Sequence, residues 1–366
     1  MKNVGIITFH RAENYGSALQ AYALNKYIQT TYDTKVETID YFNKVQESMY
    51  KFFQANTSPL NIIRNLHTLL YYKSLKKKKV AFQNFISDNI PLSEFHGDDY
   101  KKLQQYAHKY DACICGSDQI WNIHCADQDS VYFLSFATNN KKIAYAPSLG
   151  PIIYGKEETD VFKKYLFNFK SLSVREEDAA LFLKNILPNP VKIVADPVFL
   201  LSKEHWESIA SCPIKKKYIL CYFIGDAPGM RNFAKKVQKT TGLPVIVILK
   251  NLRDIRYRFN AYYSGGPLEF LGLIKNAEYV ITSSFHAIAF SIIFRKNFWG
   301  FAGNTLNPNN RIINICNITD LKERILDAKN WHTCNYDKNI DYDRVKHKLD
   351  NFIRHSKTFI ENALSD

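Results

Sequence analysis

Residues 4–41, VGIITFHRAENYGSALQAYALNKYIQTTYDTKVETIDY, contain three successive patterns. VGIITF (4–9) is a short β-branched run and predicts a strand. SALQAYALNKYIQ predicts a helix, and VETIDY (36–41) predicts a second strand. A strand, a helix and another strand in succession indicate a parallel sheet covered by helices. This stretch therefore predicts an α/β fold.

The alternation continues along the chain in two series separated by a polar segment. After a helical, basic stretch at about 46–110, further strands are predicted at 111–116, 141–148, 171–176 and 191–197. The second series has strands predicted at 217–225, 243–249, 277–282 and 298–303. We therefore predict two Rossmann-like domains facing across a cleft, at 1–205 and 206–366. A helical segment at about 341–364 could stay with the second domain or pack back on the first.

Composition limits the class of protein. Hydrophobic residues make up 46% of the chain and aromatic residues 14%, which is typical of a globular protein rather than a disordered one. No apolar run approaches the ~20 residues of a membrane-spanning helix, and MKNVGIITFHR shows no signal-peptide pattern. The 7 cysteines form no CxxC pair, which favours reduced thiols and a cytoplasmic location. Cys113 and Cys115 alternate along a predicted strand, so we expect them to pack inside.

The formal net charge of +14 indicates an anionic partner. Nucleic acid, an anionic lipid surface and a small anionic substrate all fit this charge. The basic residues are spread widely, and no recognition-helix, RRM, KH or zinc-finger signature occurs. We therefore predict no nucleic-acid partner.

One segment concentrates basic charge beside an amphipathic pattern. KSLKKKK (73–79) follows PLNIIRNLHTLLYY, and together they resemble a surface-lying helix with a basic end. Peripheral contact with an anionic membrane is one interpretation. A solvated charge run on a connecting helix is another, in which Leu66, Leu69 and Leu70 are core residues that fix the segment to the first domain.

Small and polar residues recur where the predicted strands end. In doubly wound sheets ligands bind beyond the carboxyl ends of the strands, so these positions are candidates for substrate binding. They are Asn14, Gly16, Ser17, Gly116, Ser117, Asp118, Gln119, Ser148, Gly150, Arg175, Asp196 and Gly225. No HExxH or EF-hand pattern is present, and neither a GxxxxGK[ST] loop nor a GxGxxG motif follows a strand. We therefore expect no metal site, and an ATPase or dehydrogenase is not indicated.

TSSFHAIAFSIIF (282–294) places a polar cluster before an apolar run with helical spacing. Ser283 or Ser284 is a natural N-cap for this helix. His286 then lies in the first helical turn, beside exposed amides and the positive end of the helix dipole. Such a position binds anions readily, which makes His286 and the two serines candidate site residues.

Several motifs in order resemble the polysaccharide pyruvyl transferase family. They are GIITFHRAENYGSALQAYAL, YDACICGSDQIWN, KIAYAPSLG, SVREEDA, VADPVFLL and GPLEFLGLIKNAEYVITSSFHAIAFSIIF. The resemblance implies a fold similar to glycosyltransferase type B. It also implies phosphoenolpyruvate as donor, a sugar as acceptor and a cyclic pyruvate ketal as product, without a metal or nucleotide cofactor.

His286 is similar to the family's histidine, which could serve as acid or base in this reaction. Many members have an arginine two residues earlier, where this chain has Ser284. Arg175, in SVREEDA, matches another family arginine and is our first choice for gripping the donor, although an ion pair with Glu176 or Glu177 is the alternative. Our second choice is Arg311, which we expect at the start of a helix.

Two further residues have open interpretations. Asp118 could orient a sugar hydroxyl or act as a base, or it could cap the helix predicted to follow it. Trp121 could stack on a sugar ring or belong to the core.

Three functions remain open from the sequence. The first is a pyruvyltransferase that modifies a surface or capsular polysaccharide, or its lipid-linked repeat unit, at the inner membrane face. The second is a nucleotide-sugar-dependent glycosyltransferase of the same architecture, and the third is a non-catalytic sugar-binding relative.

Overall fold

The computed structural model describes residues 2–150, 155–225, 227–249, 252–304 and 307–365. Contacts divide the chain into two compact units. The first unit comprises the described residues within Met1–Thr68, Gln83–Leu201 and Phe352–Asp366. The second comprises those within Leu69–Phe82 and Ser202–Asn351.

The first unit contains a seven-stranded parallel sheet with strand order β3-β2-β1-β4-β5-β6-β7. Its strands are β1 (Lys2–Ile7), β2 (Thr34–Tyr41), β3 (Leu92–Gly97), β4 (Ala112–Cys115), β5 (Lys141–Ala144), β6 (Ser171–Val174) and β7 (Val191–Ile193). The helices that begin in this part of the chain are α1 (Tyr15–Thr31), α2 (Lys44–Met49), α3 (Pro59–Leu70), α4 (Tyr72–Asn89), α5 (Tyr100–Ala107), α6 (Lys156–Leu166) and α7 (Glu177–Ile186).

The second unit contains a six-stranded parallel sheet and a short antiparallel pair. Its strands are β8 (Ile219–Tyr222), β9 (Val245–Ile248), β10 (Asn260–Tyr262), β11 (Tyr279–Thr282), β12 (Asn297–Phe301), β13 (Gly303–Asn304), β14 (Asn307–Pro308) and β15 (Ile325–Leu326). The main sheet has the order β10-β9-β8-β11-β12-β15, and β13 pairs with β14. The helices are α8 (Lys203–Ile209), α9 (Met230–Thr241), α10 (Pro267–Asn276), α11 (Phe285–Ile293), α12 (Asn310–Ile318) and α13 (Tyr342–Ser365).

Both faces of the first sheet are buried, as expected for parallel strands. Along β4, Cys113 and Cys115 point into one cluster with residues of α5, α6 and α7. Ala112 and Ile114 point into another cluster with residues of α1 and the end of α13. The expectation that the two cysteines pack inside is confirmed, and burial raises the pKa of the Cys113 thiol to about 12.

The α/β prediction is confirmed, and each of the ten strands predicted from sequence overlaps an observed one. The stretch at 46–110 was predicted as wholly helical, and this is wrong because it contains β3. The short strands β10, β14 and β15 were also missed. β3, β10 and β15 lie at sheet edges, where one side lacks a neighbouring strand. β3 and β10 have polar sequences, and β15 has only two residues.

The described part of the chain has no helix with both the length and the apolar character needed to cross a bilayer. Leu66, Leu69 and Leu70 are exposed on α3, so the interpretation that they are core residues is wrong. The apolar face of α3 is therefore open to solvent.

Candidate functional site

Side chains from several strand ends of the first unit meet at the carboxyl edge of its sheet. Ser17, at the start of α1, donates a hydrogen bond to the carboxylate of Asp118, which follows β4. Arg175, which follows β6, places its Nη1 2.5 Å from Oδ2 of Asp196, which follows β7. Its Nη2 lies 3.7 Å from Oδ1 of Asp118. The structure thus brings together four residues that the sequence placed at separate strand ends.

Arg175 is enclosed by carboxylates. Besides Asp196 and Asp118, its Nε lies 3.8 Å from Oε1 of Glu176, and only 2% of its side chain is exposed. Burial alone would lower the pKa of the guanidinium, but the three carboxylates outweigh this effect and raise the pKa above its ordinary value. Three ionised carboxylates exceed the charge of one arginine. The guanidinium is thus engaged by carboxylates of the protein itself, and the expectation that Arg175 grips an anionic donor stays a prediction.

Ser117 and Ser148, which were predicted to contact substrate, make their hydrogen bonds within the protein. Both serines are fully buried. The Ser117 hydroxyl donates to the Ala146 carbonyl at 2.8 Å, and its amide donates to Oε1 of Gln20 at 3.0 Å. The Ser148 amide donates to the Asp118 carbonyl at 2.7 Å, and its hydroxyl accepts from the Gly150 amide at 3.3 Å. These serines connect neighbouring strand ends and present no hydroxyl to a ligand.

Backbone geometry explains the glycines at these strand ends. Gly116 has φ +128°, and a Cβ there would lie 2.0 Å from the Tyr145 carbonyl oxygen. Gly150 has φ +74°, and a Cβ there would lie 2.4 Å from Nδ2 of Asn122. Larger residues would clash at both positions, so the close approach of the backbone accounts for both glycines.

Asn14 acts on the backbone of the helix that follows it. Its side-chain oxygen accepts hydrogen bonds from the amides of Gly16, at 2.9 Å, and Ser17, at 3.4 Å. It is therefore the N-cap of α1, and these two predicted site residues have their amides engaged by the cap. The Ser17 hydroxyl, at the same helix start, donates its hydrogen bond to the Asp118 carboxylate.

The segment after β4 differs from its prediction. Asp118 has φ 70°, and its carboxylate accepts a hydrogen bond from the Gln119 amide at 2.8 Å. No α-helix begins directly after Asp118, so the interpretation that it caps a helix is wrong. Trp121 is 0% exposed and its indole Nε1 donates to the Tyr132 carbonyl at 3.1 Å. It stacks on Phe133, which leaves no face for a sugar ring. Of the two interpretations of Trp121, the core one is correct.

In the second unit, β11 leads into α11 through three hydroxyl residues. Thr282 donates to the Tyr222 carbonyl at 2.6 Å, and the Ser283 hydroxyl exchanges hydrogen bonds of 2.8 Å with the backbone of Ile224. Ser284 is the N-cap of α11, and its hydroxyl accepts from the Ala287 amide at 3.4 Å. The predicted cap is confirmed, and these bonds fix the start of α11 against the end of β8.

His286 lies in the first turn of α11, as predicted, and is 6% exposed. Its ring centroid is 5.0 Å from that of Phe285, at an angle of 80°. α11 is buried along its length, so its start is held rigidly by the surrounding core. An imidazole here adjoins the amides and positive dipole end of a helix, where it can hold an anion and transfer a proton to it.

Two further predicted residues lie near this helix. Gly225 follows Ile224, whose backbone is bonded to Ser283. Arg311 is the second residue of α12, which packs against α11, and its Nε donates to Oδ1 of Asn309 at 3.1 Å. α11 follows β11 directly, and α12 begins beside the end of β12, because the amide of its N-cap Asn309 donates to the Ala302 carbonyl at 2.6 Å. Both helices therefore begin near the carboxyl edge of the parallel sheet. The expectation that Arg311 opens a helix is confirmed.

The first unit contains a buried ionic cluster that was not predicted from the sequence. Asp40, in β2, accepts from Arg11, from His10 Nε2 at 2.9 Å and from His96 Nδ1 at 2.7 Å. Burial alone would raise the pKa of Asp40, but these bonds, that of Arg11 first, hold its pKa well below the usual range. The only signal in the sequence was an aspartate near the end of an apolar strand, and His96 lies in the strand that was missed.

We expect the Asp40→Asn variant to lose about 2–3 kcal/mol of unfolding free energy at pH 7, because hydrogen bonds to an ionised carboxylate are lost. A lowered native pKa adds stability that is complete above the unfolded value of about 3.9 and disappears as pH falls through the native value. The difference between wild type and variant should therefore shrink below pH ~4. Urea unfolding between pH 3 and 7 measures it.

The exposed Asp33→Asn variant is the matched control for this experiment. It should track the wild type throughout the pH range. A difference for Asp40→Asn that stays constant down to pH 3 would contradict the role of its ionisation.

Within the ranges that the structure describes, no group of three or more His, Cys, Asp or Glu residues is arranged to hold a metal ion.

The sequence and the fold resemble known proteins in different ways. The pattern that defines the family described as polysaccharide pyruvyl transferase matches residues 14–305. The solved structure of S. aureus MnaA with UDP has a TM-score of 0.53 at 12% identity, covering 100% of this chain and 98% of that one. Anabaena HepE in complex with UDP and glucose has a TM-score of 0.50 at 10% identity, covering 100% of both chains. A comparison with curated proteins finds no match.

At such low identity the structural likeness concerns the fold alone. Two parallel sheets with helices, in the order observed here, make a fold similar to glycosyltransferase type B. The sequence match covers the start of α1, the strand ends of the first unit and the β11–α11 segment.

Proposed function

The chain belongs to the polysaccharide pyruvyl transferase family, and from this we propose that it moves the pyruvyl group of phosphoenolpyruvate onto a sugar. The acceptor is a surface or capsular polysaccharide, or its lipid-linked repeat unit. The product is a cyclic pyruvate ketal, and phosphate is released. The observation that carries the proposal is the family match over residues 14–305, which includes His286 at the start of α11.

The proposed reaction sets clear chemical demands. The methylene carbon of phosphoenolpyruvate gains a proton, and two sugar oxygens each form a bond to the adjacent carbon. The bond from that carbon to the phosphate oxygen breaks, and phosphate leaves. The two sugar hydroxyls lose their protons. One of these protons balances the proton added to the methylene carbon, and the other protonates the released phosphate. The protein must bind a doubly anionic donor and supply one acid–base group. In this proposal phosphoenolpyruvate is a co-substrate and no metal or nucleotide cofactor takes part.

His286 suits the acid–base step. Its position in the first helical turn puts an imidazole beside backbone amides that favour negative charge. The same site can therefore hold an anionic group of the donor and exchange a proton with it. Ser284, as the N-cap, fixes the helix start but carries no charge.

The positive charge for the donor must come from a residue other than Arg175. Arg175 is occupied by three carboxylates, so we assign the donor contact to Arg311. Arg311 starts α12, beside α11, at the same edge of the sheet as His286. In kinetic assays, Arg311→Ala should raise the apparent constant for phosphoenolpyruvate about tenfold or more with a smaller change for the acceptor, as expected for a lost charged hydrogen bond.

The first unit suits the acceptor. Of the three carboxylates around Arg175, that of Asp118 is the most exposed, and a carboxylate can accept hydrogen bonds from sugar hydroxyls. We assign Asp118 to orienting the attacking hydroxyl, with the Ser17 hydroxyl holding its carboxylate. The lipid-linked form of the acceptor would place the enzyme in the cytoplasm, at the inner membrane face.

Two alternative functions have support, one from the fold and one from the sequence. The solved structures of MnaA and HepE are both complexes with UDP, which favours a nucleotide-sugar-dependent glycosyltransferase as the alternative. A non-catalytic sugar-binding relative is the third candidate, because Ser284 stands where many members have an arginine.

Donor identity distinguishes the three candidates. The purified chain is incubated with sugar acceptors and either phosphoenolpyruvate or a UDP-sugar, and released phosphate or UDP is measured. The proposal expects acceptor-dependent phosphate release from phosphoenolpyruvate, with a ketal methyl signal in the NMR spectrum of the product. UDP release alone supports the glycosyltransferase, and sugar binding without either release supports the non-catalytic relative.

A further inference from the structure

α3 is attached to the protein by its polar side. Asn65 exchanges hydrogen bonds with the backbone of Gln54, donating at 2.8 Å and accepting at 3.0 Å. Asn61 donates to the Ala55 carbonyl at 2.9 Å, and Thr68 is buried. At 100° per residue these three side chains lie on one side of the helix. The helix therefore has the reverse of the usual orientation, in which the apolar side faces the core.

The opposite half of α3 presents an exposed apolar surface. Its six large aliphatic side chains are between 44% and 77% exposed. They are Leu60, Ile62, Ile63, Leu66, Leu69 and Leu70. Soluble proteins rarely leave such a contiguous patch uncovered, and patches of this kind mark interaction sites. We name this surface the α3 apolar face.

Basic residues follow the α3 apolar face in the chain. A single residue, Tyr71, separates α3 from α4, whose first turns expose Lys73, Lys76 and Lys77. Lys78 differs from them because it is buried, with its ammonium 5.0 Å from the ring centroid of Phe82. The three exposed lysines are part of the chain's net charge of +14.

We propose that the α3 apolar face and these three lysines form a docking surface for an anionic lipid bilayer. A helix of 12 residues is about 18 Å long, too short to cross a hydrocarbon core of ~30 Å, so α3 lies in the plane of the interface. Its aliphatic side chains enter the acyl boundary while the lysines meet anionic headgroups. This surface is distinct from His286 and the strand-end cluster, and the proposal does not depend on the reaction.

Charge decides between a bilayer and a second copy of the chain. A symmetric dimer through the α3 apolar face would bury the same patch of each copy, but it offers the lysines no anionic partner. An anionic bilayer offers the apolar phase that the leucines need and the negative charge that the lysines need, so it satisfies both observations.

Sedimentation with vesicles tests the surface directly, without substrate. The full chain is mixed with phosphatidylcholine vesicles that contain or lack phosphatidylglycerol, at low and high salt. We expect strong co-sedimentation only with phosphatidylglycerol, weakened at high salt. Absence of binding at low salt overturns the proposal. Equal binding to both vesicle types overturns the part of the proposal in which the lysines meet anionic headgroups.

Variants locate the contact. The triple variant Leu66→Asn, Leu69→Asn, Leu70→Asn should weaken the vesicle partition coefficient at least tenfold, and Lys73→Gln, Lys76→Gln, Lys77→Gln should remove most of its salt dependence. The control is Leu181→Asn on α7, whose side chain is 63% exposed and should have no effect. Thermal unfolding checks that each variant is folded.

Two results would overturn the assignment. One is binding that all the variants retain, which places the contact elsewhere. The other is a concentration-dependent dimer in sedimentation velocity that the leucine variant abolishes, together with no vesicle binding, which identifies a second copy as the occupant.

Discussion

Arg175→Ala is expected to lose about 3–5 kcal/mol of unfolding free energy, the usual cost of removing one partner from a buried ion pair. The arginine is enclosed by Asp196, Glu176 and Asp118, and its removal leaves these carboxylates facing one another without a cation. Urea unfolding at pH 7 measures the loss. A protein with ordinary stability would then be close to its unfolding threshold.

Two controls separate this effect from a general one. The exposed Arg354→Ala, on α13, should change the unfolding free energy by less than about 0.5 kcal/mol. Adding Asp196→Asn to Arg175→Ala should recover part of the loss, because one unpaired carboxylate is removed. If Arg175→Ala kept its stability and only raised the apparent constant for phosphoenolpyruvate, Arg175 would be the donor's anchor after all.

His286→Gln is expected to lower turnover by about 100-fold or more, the usual scale for the loss of general acid–base catalysis. Glutamine keeps a polar group of similar size in the first turn of α11, but it cannot gain or lose a proton near neutral pH. The apparent constant for phosphoenolpyruvate should change less than turnover. Steady-state phosphate release gives both quantities.

The matched control is His355→Gln, an exposed histidine on α13, which should retain full turnover. Thermal unfolding of both variants shows whether the fold is intact. Unchanged turnover in His286→Gln would show that His286 is not the acid–base group of the proposed reaction.

Most of the fold follows from local pattern because parallel strands are buried on both faces. VGIITF and YVIT are apolar almost throughout, and such runs need no partner in the sequence to be recognised. β3 reads LSEFHG and alternates between buried Ser93 and Phe95 and more exposed neighbours. An edge strand of this kind gives a weak signal inside a segment that otherwise predicts helix.

The candidate site was predictable only in part, because charge balance depends on residues distant in the chain. Strand ends identified Asp118 and Arg175 as neighbours in space. That Asp196 would lie 2.5 Å from the same guanidinium, and so neutralise it, depends on the order of β6 and β7. The same limit concealed the cluster at Asp40, whose partners come from β3 and from the segment after β1.

The last residues of α13 complete the core of the first unit, which has a consequence for biosynthesis. Ile360 and Leu364 pack with Val4 of β1, and the Ala195 amide donates to the Ser356 hydroxyl at 2.8 Å. On the ribosome these residues emerge after the whole second unit. The second unit can thus fold while the chain is still growing, whereas one sheet face of the first unit, which α1 also covers, is incomplete until residues 352–365 have emerged. Nascent chains stalled before residue 352 should therefore be protease-sensitive in their N-terminal half and bound by chaperones.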